Sequence, residues 1–119
     1  MNRIFTVTLN TVGALASSPV FAMKFPFDVQ LLALSISNSS ANAGSVKVGA
    51  TGDDDCYLAA ETAGVSNACT IVDKWDEFDG VTAAGQYPHI DANTTILVTI
   101  TDHASHMADV IVVLTFAEG

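Results

Sequence analysis

The residues best equipped for chemistry fall between Asp102 and Asp109, where Asp102-His103-Ala104-Ser105-His106 sets two imidazoles three residues apart. Neutral imidazole and carboxylate are good transition-metal ligands. The stretch reads as a loop, however, and a loop supplies no helical spacing to aim both rings at one ion. A cupin-like oxidase would need further His and Glu ligands on strands, and the one other histidine is His89. Gly52 followed by Asp53, Asp54 and Asp55 offers oxygen ligands of the kind calcium prefers, without the order of an EF-hand, and reads as a soluble turn. Asp76, Glu77 and Asp79 could serve as paired carboxylates, but nothing in their spacing fixes a geometry, so they read as a solvated or partner-facing acidic edge. No nucleophile elbow is present, and no Gly-rich phosphate loop precedes a helix. Trp75, Tyr57 and Tyr87 suit a carbohydrate platform, a core or an interface equally well. Cys56 and Cys69 match neither a redox pair nor a zinc knuckle. They read as buried free thiols, with a single disulfide between neighbouring strands as the alternative. The sequence therefore predicts no enzyme, no cofactor and no metal site. Partner contacts are expected at Asp102, His103, His106, Trp75 and Phe78.

Bulk composition points the same way. The 119 residues fit one domain, residues 1–119, and a chain of this size buries roughly two-thirds of its unfolded surface without metal or disulfide. Charged residues make up 14% of the chain, against about 25% in an ordinary soluble domain. So little charge cannot dress a whole monomer, which implies that part of the exterior is covered by another subunit. Thirteen acids against four bases give a net charge of -9. This opposes nucleic acid, whose binding needs Lys and Arg. Arg3, Lys24, Lys47 and Lys74 are spread along the chain, so no polybasic patch addresses a membrane either. A basic protein surface fits the charge better.

The elements that must position these groups are strands. Apolar residues recur at spacing two, and Thr, Val and Ile concentrate in the apolar segments. Met1-Asn2-Arg3, the stretch 4–16 and Val20-Phe21-Ala22 imitate an export signal. Thr6, Thr8 and Asn10 interrupt that run, though, and Phe5, Val7 and Leu9 alternate with them as in a first strand. A connection over 13–19 leads to Phe25-Pro26-Phe27-Asp28, an edge or loop that packs its two rings. Residues 29–37 form a strand with Leu32, Leu34 and Ile36 on one face. Residues 38–45 turn the chain, and 45–51 and 56–61 make a hairpin. Residues 68–73 form a short strand, 74–80 a strand end or one helical turn, and 81–93 a long connection. Residues 94–101 and 109–116 are expected to close the chain as a hairpin. Leu97, Ile111 and Val113 add apolar side chains to its second face, which implies cover on two sides.

About eight antiparallel strands predict an all-β, jelly-roll-like β-sandwich, with an immunoglobulin-like sandwich as the alternative. Phe25-Pro26-Phe27-Asp28, Val46-Lys47-Val48-Gly49, the Asp-rich turn before Tyr57, and the pairing of 96–102 with 109–116 together resemble the small jelly-roll capsid decoration, or cement, proteins of tailed bacteriophages. That resemblance implies a non-enzymatic virion protein assembled in the host cytoplasm. It implies a homotrimer on the outer capsid surface that clamps the major capsid protein. A carbohydrate-binding or adhesive β-sandwich is the other function that the residues suggest.

Overall fold

A computed structural model describes residues 3–81 and 83–119. Nine strands are present among them: β1 (Ile4–Asn10), β2 (Val20–Met23), β3 (Val29–Ser37), β4 (Ser45–Ala50), β5 (Asp53–Thr62), β6 (Thr70–Val72), β7 (His89–Ile90), β8 (Ile96–Thr101) and β9 (Ile111–Glu118). A single 3-10 turn, Trp75–Glu77, follows β6. One sheet runs β1-β9-β3-β6 with β7 beside β3, and the other runs β2-β8-β4-β5. Every pairing between these strands is antiparallel. Consecutive pairs β1/β2, β3/β4, β5/β6 and β8/β9 hold matching positions in the two orders, so the chain repeatedly crosses from sheet to sheet. That is the order of a jelly roll.

The crossing corrects the expected closing hairpin. β8 pairs with β2 and β4, whereas β9 pairs with β1 and β3. Residues 102–110 are long enough to bridge the ~10 Å between stacked sheets, so the two strands with the clearest alternation face each other across the core. Their inner residues Ile96, Val98, Ile100, Val110, Val112, Leu114 and Phe116 are all fully buried. The second faces are left uncovered by the rest of the chain: Ile111 is 45% exposed, and Leu97 and Val113 are half-buried.

Local irregularities account for the other differences. A register shift between Leu31 and Ala33 in the β3–β9 ladder turns Leu32 off the face expected for it. Val29, Leu31, Leu34 and Ile36 face the core instead. Asp53, Asp54 and Asp55 belong to β5, and the reversal before them is made at Thr51 and Gly52, with Gly52 at a φ of 88°. Two register shifts bend the β4–β5 ladder, and the β5 backbone at Asp53 and Asp54 lies so close to Gly49 that a Cβ there would collide with it. Val20 to Met23, whose first three residues imitate a cleavage site in the sequence, is an edge strand. Neither cysteine is buried or bridged: Cys56 is half-buried, Cys69 is exposed, and both are free.

Phe5, Phe25, Phe27 and Phe116 form one aromatic cluster that fastens β1 and the segment after β2 to β9. Its ring centroids lie 5.2 to 6.0 Å apart. No helix among the described residues is long and apolar enough to cross a membrane.

Candidate partner-binding surfaces

The polar loop 102–110 lies at the end of the sandwich where 11–19, 38–44 and 63–69 also turn, and its side chains are used to tie these loops together. Asp102, whose side chain is only 9% exposed, accepts at Oδ1 from the His103 and Met107 N–H groups and pairs at Oδ2 with His106 Nδ1 at 2.7 Å. His103 Nδ1 accepts from the Ser105 N–H, so each imidazole is committed to a different local partner. Asn42 donates to the Ser105 and His106 carbonyls. Ser18 Oγ accepts from the Asp102 N–H. Asp109 accepts from the Gly13 N–H and the Ser39 hydroxyl.

Beneath the loops sits Asn38, the one buried polar side chain among the described residues. Its amide donates to the Gly64 carbonyl, and its Oδ1 accepts from the N–H and hydroxyl of Ser40. Of the three residues expected to meet a partner here, Asp102 and His103 are half-buried and His106 is exposed, with 53% of its side chain accessible.

A cupin-like metal centre does not assemble from the histidines. His89 pairs with Gln30 at the start of β3, while His103 and His106 lie beyond its last residue, Ser37. Gln30 and Ser37 are about 23 Å apart along an extended strand. His89 instead belongs to a group that the sequence did not reveal. Its Nε2 lies 3.4 Å from Asp28 Oδ2 and 3.4 Å from Asp91 Oδ1, with all three ligand atoms within 4.8 Å of one another. One nitrogen and two oxygens could hold a divalent ion, but all three residues stand in solvent, and the same contacts serve as imidazole–carboxylate pairs. The sequence signal is His89 and Asp91 at spacing two. Only the β3–β7 pairing brings Asp28 to them.

The remaining expected contacts lie on the β5/β6 flank, apart from the loop end. Trp75 is 37% exposed, but Phe78 is 5% exposed and packs its ring 5.9 Å from that of Tyr87. Phe78 is thus a core residue rather than a side chain offered to a partner. Tyr87 donates its hydroxyl to the Asp73 carbonyl. Tyr57 is half-buried, so Trp75 alone of the three proposed platform aromatics is exposed.

This flank gathers most of the negative charge. Asp53, Asp54, Asp55, Glu61, Asp73, Asp76, Glu77 and Asp79 all fall on β5, on the 3-10 turn or next to them. Burial, and then the neighbouring Glu77 and Asp79, hold the Glu61 carboxyl above the usual glutamate range. Asp79 also closes the edge of β5: its Oδ2 accepts from the Ala59 N–H, and its N–H donates to the Tyr57 carbonyl.

The opposite flank, β1 and β2, is different in kind. Residues 3–27 contain no acid, only Arg3 and Lys24. Along β1, β9, β3 and β6 the outer face of the β1 sheet carries no Lys, Arg, Asp or Glu among the described residues, and its one charged group, His89 with Asp28 and Asp91, stands at the β7 end. Along those four strands the face is made of Ile4, Thr6, Thr8 and Asn10 on β1, Ile111, Val113 and Thr115 on β9, Ala33 and Ser35 on β3, and Ile71 on β6.

These charges set a pH profile. Burial pushes the Asp102 carboxyl up, but the bonds from His106, Met107 and His103 prevail and leave it below the ordinary value. The Gly13 N–H and the Ser39 hydroxyl likewise lower Asp109. Asp53 is raised, first by the bond it shares with Asp55, then by burial. A lowered carboxylate stabilises the fold above its unfolded value, about 3.9 for Asp, and that contribution is lost as pH falls through the folded value. A raised one does the reverse: its contribution is complete below the unfolded value and is lost as pH rises through the folded value. Stability measured by urea denaturation should therefore peak at about pH 4 to 5, and Glu61→Gln should flatten the decline toward pH 7. A profile that is flat between those limits would contradict the assignment.

By sequence, no family model and no curated protein matches the chain. By structure, a chain of the cyanophage Pam1 capsid asymmetric unit superimposes with a TM-score of 0.63 at 14% identity, over 98% of this chain and 83% of that one. The fold is a jelly roll. The major capsid protein P2 of bacteriophage PM2 aligns with a TM-score of 0.52 at 18% identity, over 100% of this chain and 44% of that one. At such identities the likeness is one of architecture, and the jelly roll here shares it with chains from viral shells.

Proposed function

We propose that this chain is a non-enzymatic structural component of a virion. More specifically, it acts as a capsid decoration protein that sits on the outer surface as a trimer and stabilises the shell by binding the major capsid protein. The observation that carries the reading is the outer face of the β1 sheet, which has no charged residue along β1, β9, β3 and β6. A sandwich that lived alone in water would place charge there, whereas subunit interfaces are depleted of it. The jelly-roll order, held in common with the Pam1 capsid chain over nearly the whole length, supports the same reading. So does the way in which His103, His106 and Asp102 are spent on holding loops together. Outward contacts to the shell are assigned to His106 at the loop end and to Trp75 on the flank, the exposed members of the expected set. Purified particles of the virus that encodes the chain should contain it; particles that lack it would remove the reading.

A further inference from the structure

Building on the reading of a self-associating shell component, we infer that copies of this chain join head to tail, with the acid-free β1/β2 flank of one seated on the acidic β5/β6 flank of the next. Three features of the first flank call for cover. β1 pairs with β9 in unbroken register over seven residues, so its other edge presents backbone donors and acceptors with no charge, proline or bulge to blunt it. Ile4, Val12 and Val20 are 67%, 89% and 56% exposed along the same flank. Lys24 has no carboxylate partner among the described residues.

Charge selects the occupant. Each copy carries a net charge of -9, so association must use the surface where acids are missing. Pairing two acid-free flanks would leave both acidic flanks uncompensated. Head-to-tail contact instead brings Lys24, and Arg3 with its Glu118 partner, towards a flank where eight carboxylates gather and where burial, and then Glu77 and Asp79, lift Glu61. The contact joins two different surfaces, so repeating it generates a ring if the rotation closes and a filament if it does not. A long side of this 42 × 24 × 24 Å molecule offers on the order of 1,000 Å², above the about 800 Å² per partner of a standard interface.

The test uses two surface variants of the whole chain, V20D/K24E on one flank and D73K/D76K on the other, with melting curves to show that both remain folded. By analytical ultracentrifugation at micromolar concentration, the unsubstituted chain should form an oligomer larger than a dimer that dissociates as salt is raised. Each variant alone should be monomeric. An equimolar mixture of the two should associate with both variants in equal number, because the two unchanged flanks fit each other and the two recharged flanks carry opposite charge. If D73K/D76K self-associates alone, the contact is flank to like flank and the inference fails. It fails equally if the unsubstituted chain is monomeric, or if the mixture stays monomeric. A monomer that is nevertheless present in purified particles would overturn this contact and leave the structural role in the virion standing.

Discussion

Phe116→Ala is expected to lower the unfolding free energy by about 4 kcal/mol, read as a fall in the urea midpoint with little change in slope. Phe116 is fully buried in β9, the strand held between β1 and β3. Its ring meets Phe5 of β1 at 5.7 Å and Phe25 of the segment after β2 at 5.2 Å. Truncation would leave a cavity and also remove the aromatic contacts that hold two edge elements to the core. Phe116→Leu, which keeps most of the volume, should cost only about 1 kcal/mol. Because the cluster fastens the acid-free flank, Phe116→Ala should weaken self-association before it unfolds the chain. Equal costs for the Ala and Leu variants would mean that the ring is not packed as described.

Asn38→Ala should cost about 3 kcal/mol, or on the order of 10 °C in Tm. The cost comes from groups left behind. Removing the amide takes the side-chain donor from the Gly64 carbonyl and the acceptor from Ser40, in a site where Asn38 is only 1% exposed. Loops 38–44 and 63–69 would lose their shared anchor, and the Asn42 bonds to the Ser105 and His106 carbonyls would loosen with them. Hydrogen exchange should therefore quicken at Ser40, Asn67 and Met107 while the centre of β9 stays protected. Uniform acceleration across both sheets would show that Asn38 supports global stability rather than the loop end.

Much of this architecture was readable from alternation alone. Val46 and Val48, Ile96 to Ile100 and Val110 to Phe116 announce which side chains face inward, because a strand's two faces follow sequence parity. Parity names a face but not a neighbour, which is why β8 and β9 were expected to pair with each other although they pair with β4 and β3. A bulge resets parity without a composition signal, which is why Leu32 leaves the face that alternation predicts for it. β2 was hidden because four residues between Pro19 and Lys24 are too short a run to separate a strand from a loop. The candidate surfaces depended still more on topology. Phe78 sits among acids in sequence yet folds under Tyr87, and Asp28 meets His89 only through the pairing of β3 and β7. The separation of acids from the β1/β2 flank is written in the sequence as the missing acids of residues 3–27. It becomes a surface only once β1 and β2 are known to be the edges on one side.

The central claim, a structural place in a virion, is tested most directly by the ratio of this chain to the major shell subunit in purified particles, measured by quantitative mass spectrometry across independent preparations. A decoration protein held by repeated equivalent contacts should appear in a fixed, whole-number relation to that subunit, and should remain after washing at physiological salt. Absence from the particles, or a trace that varies between preparations and washes away, would contradict the account.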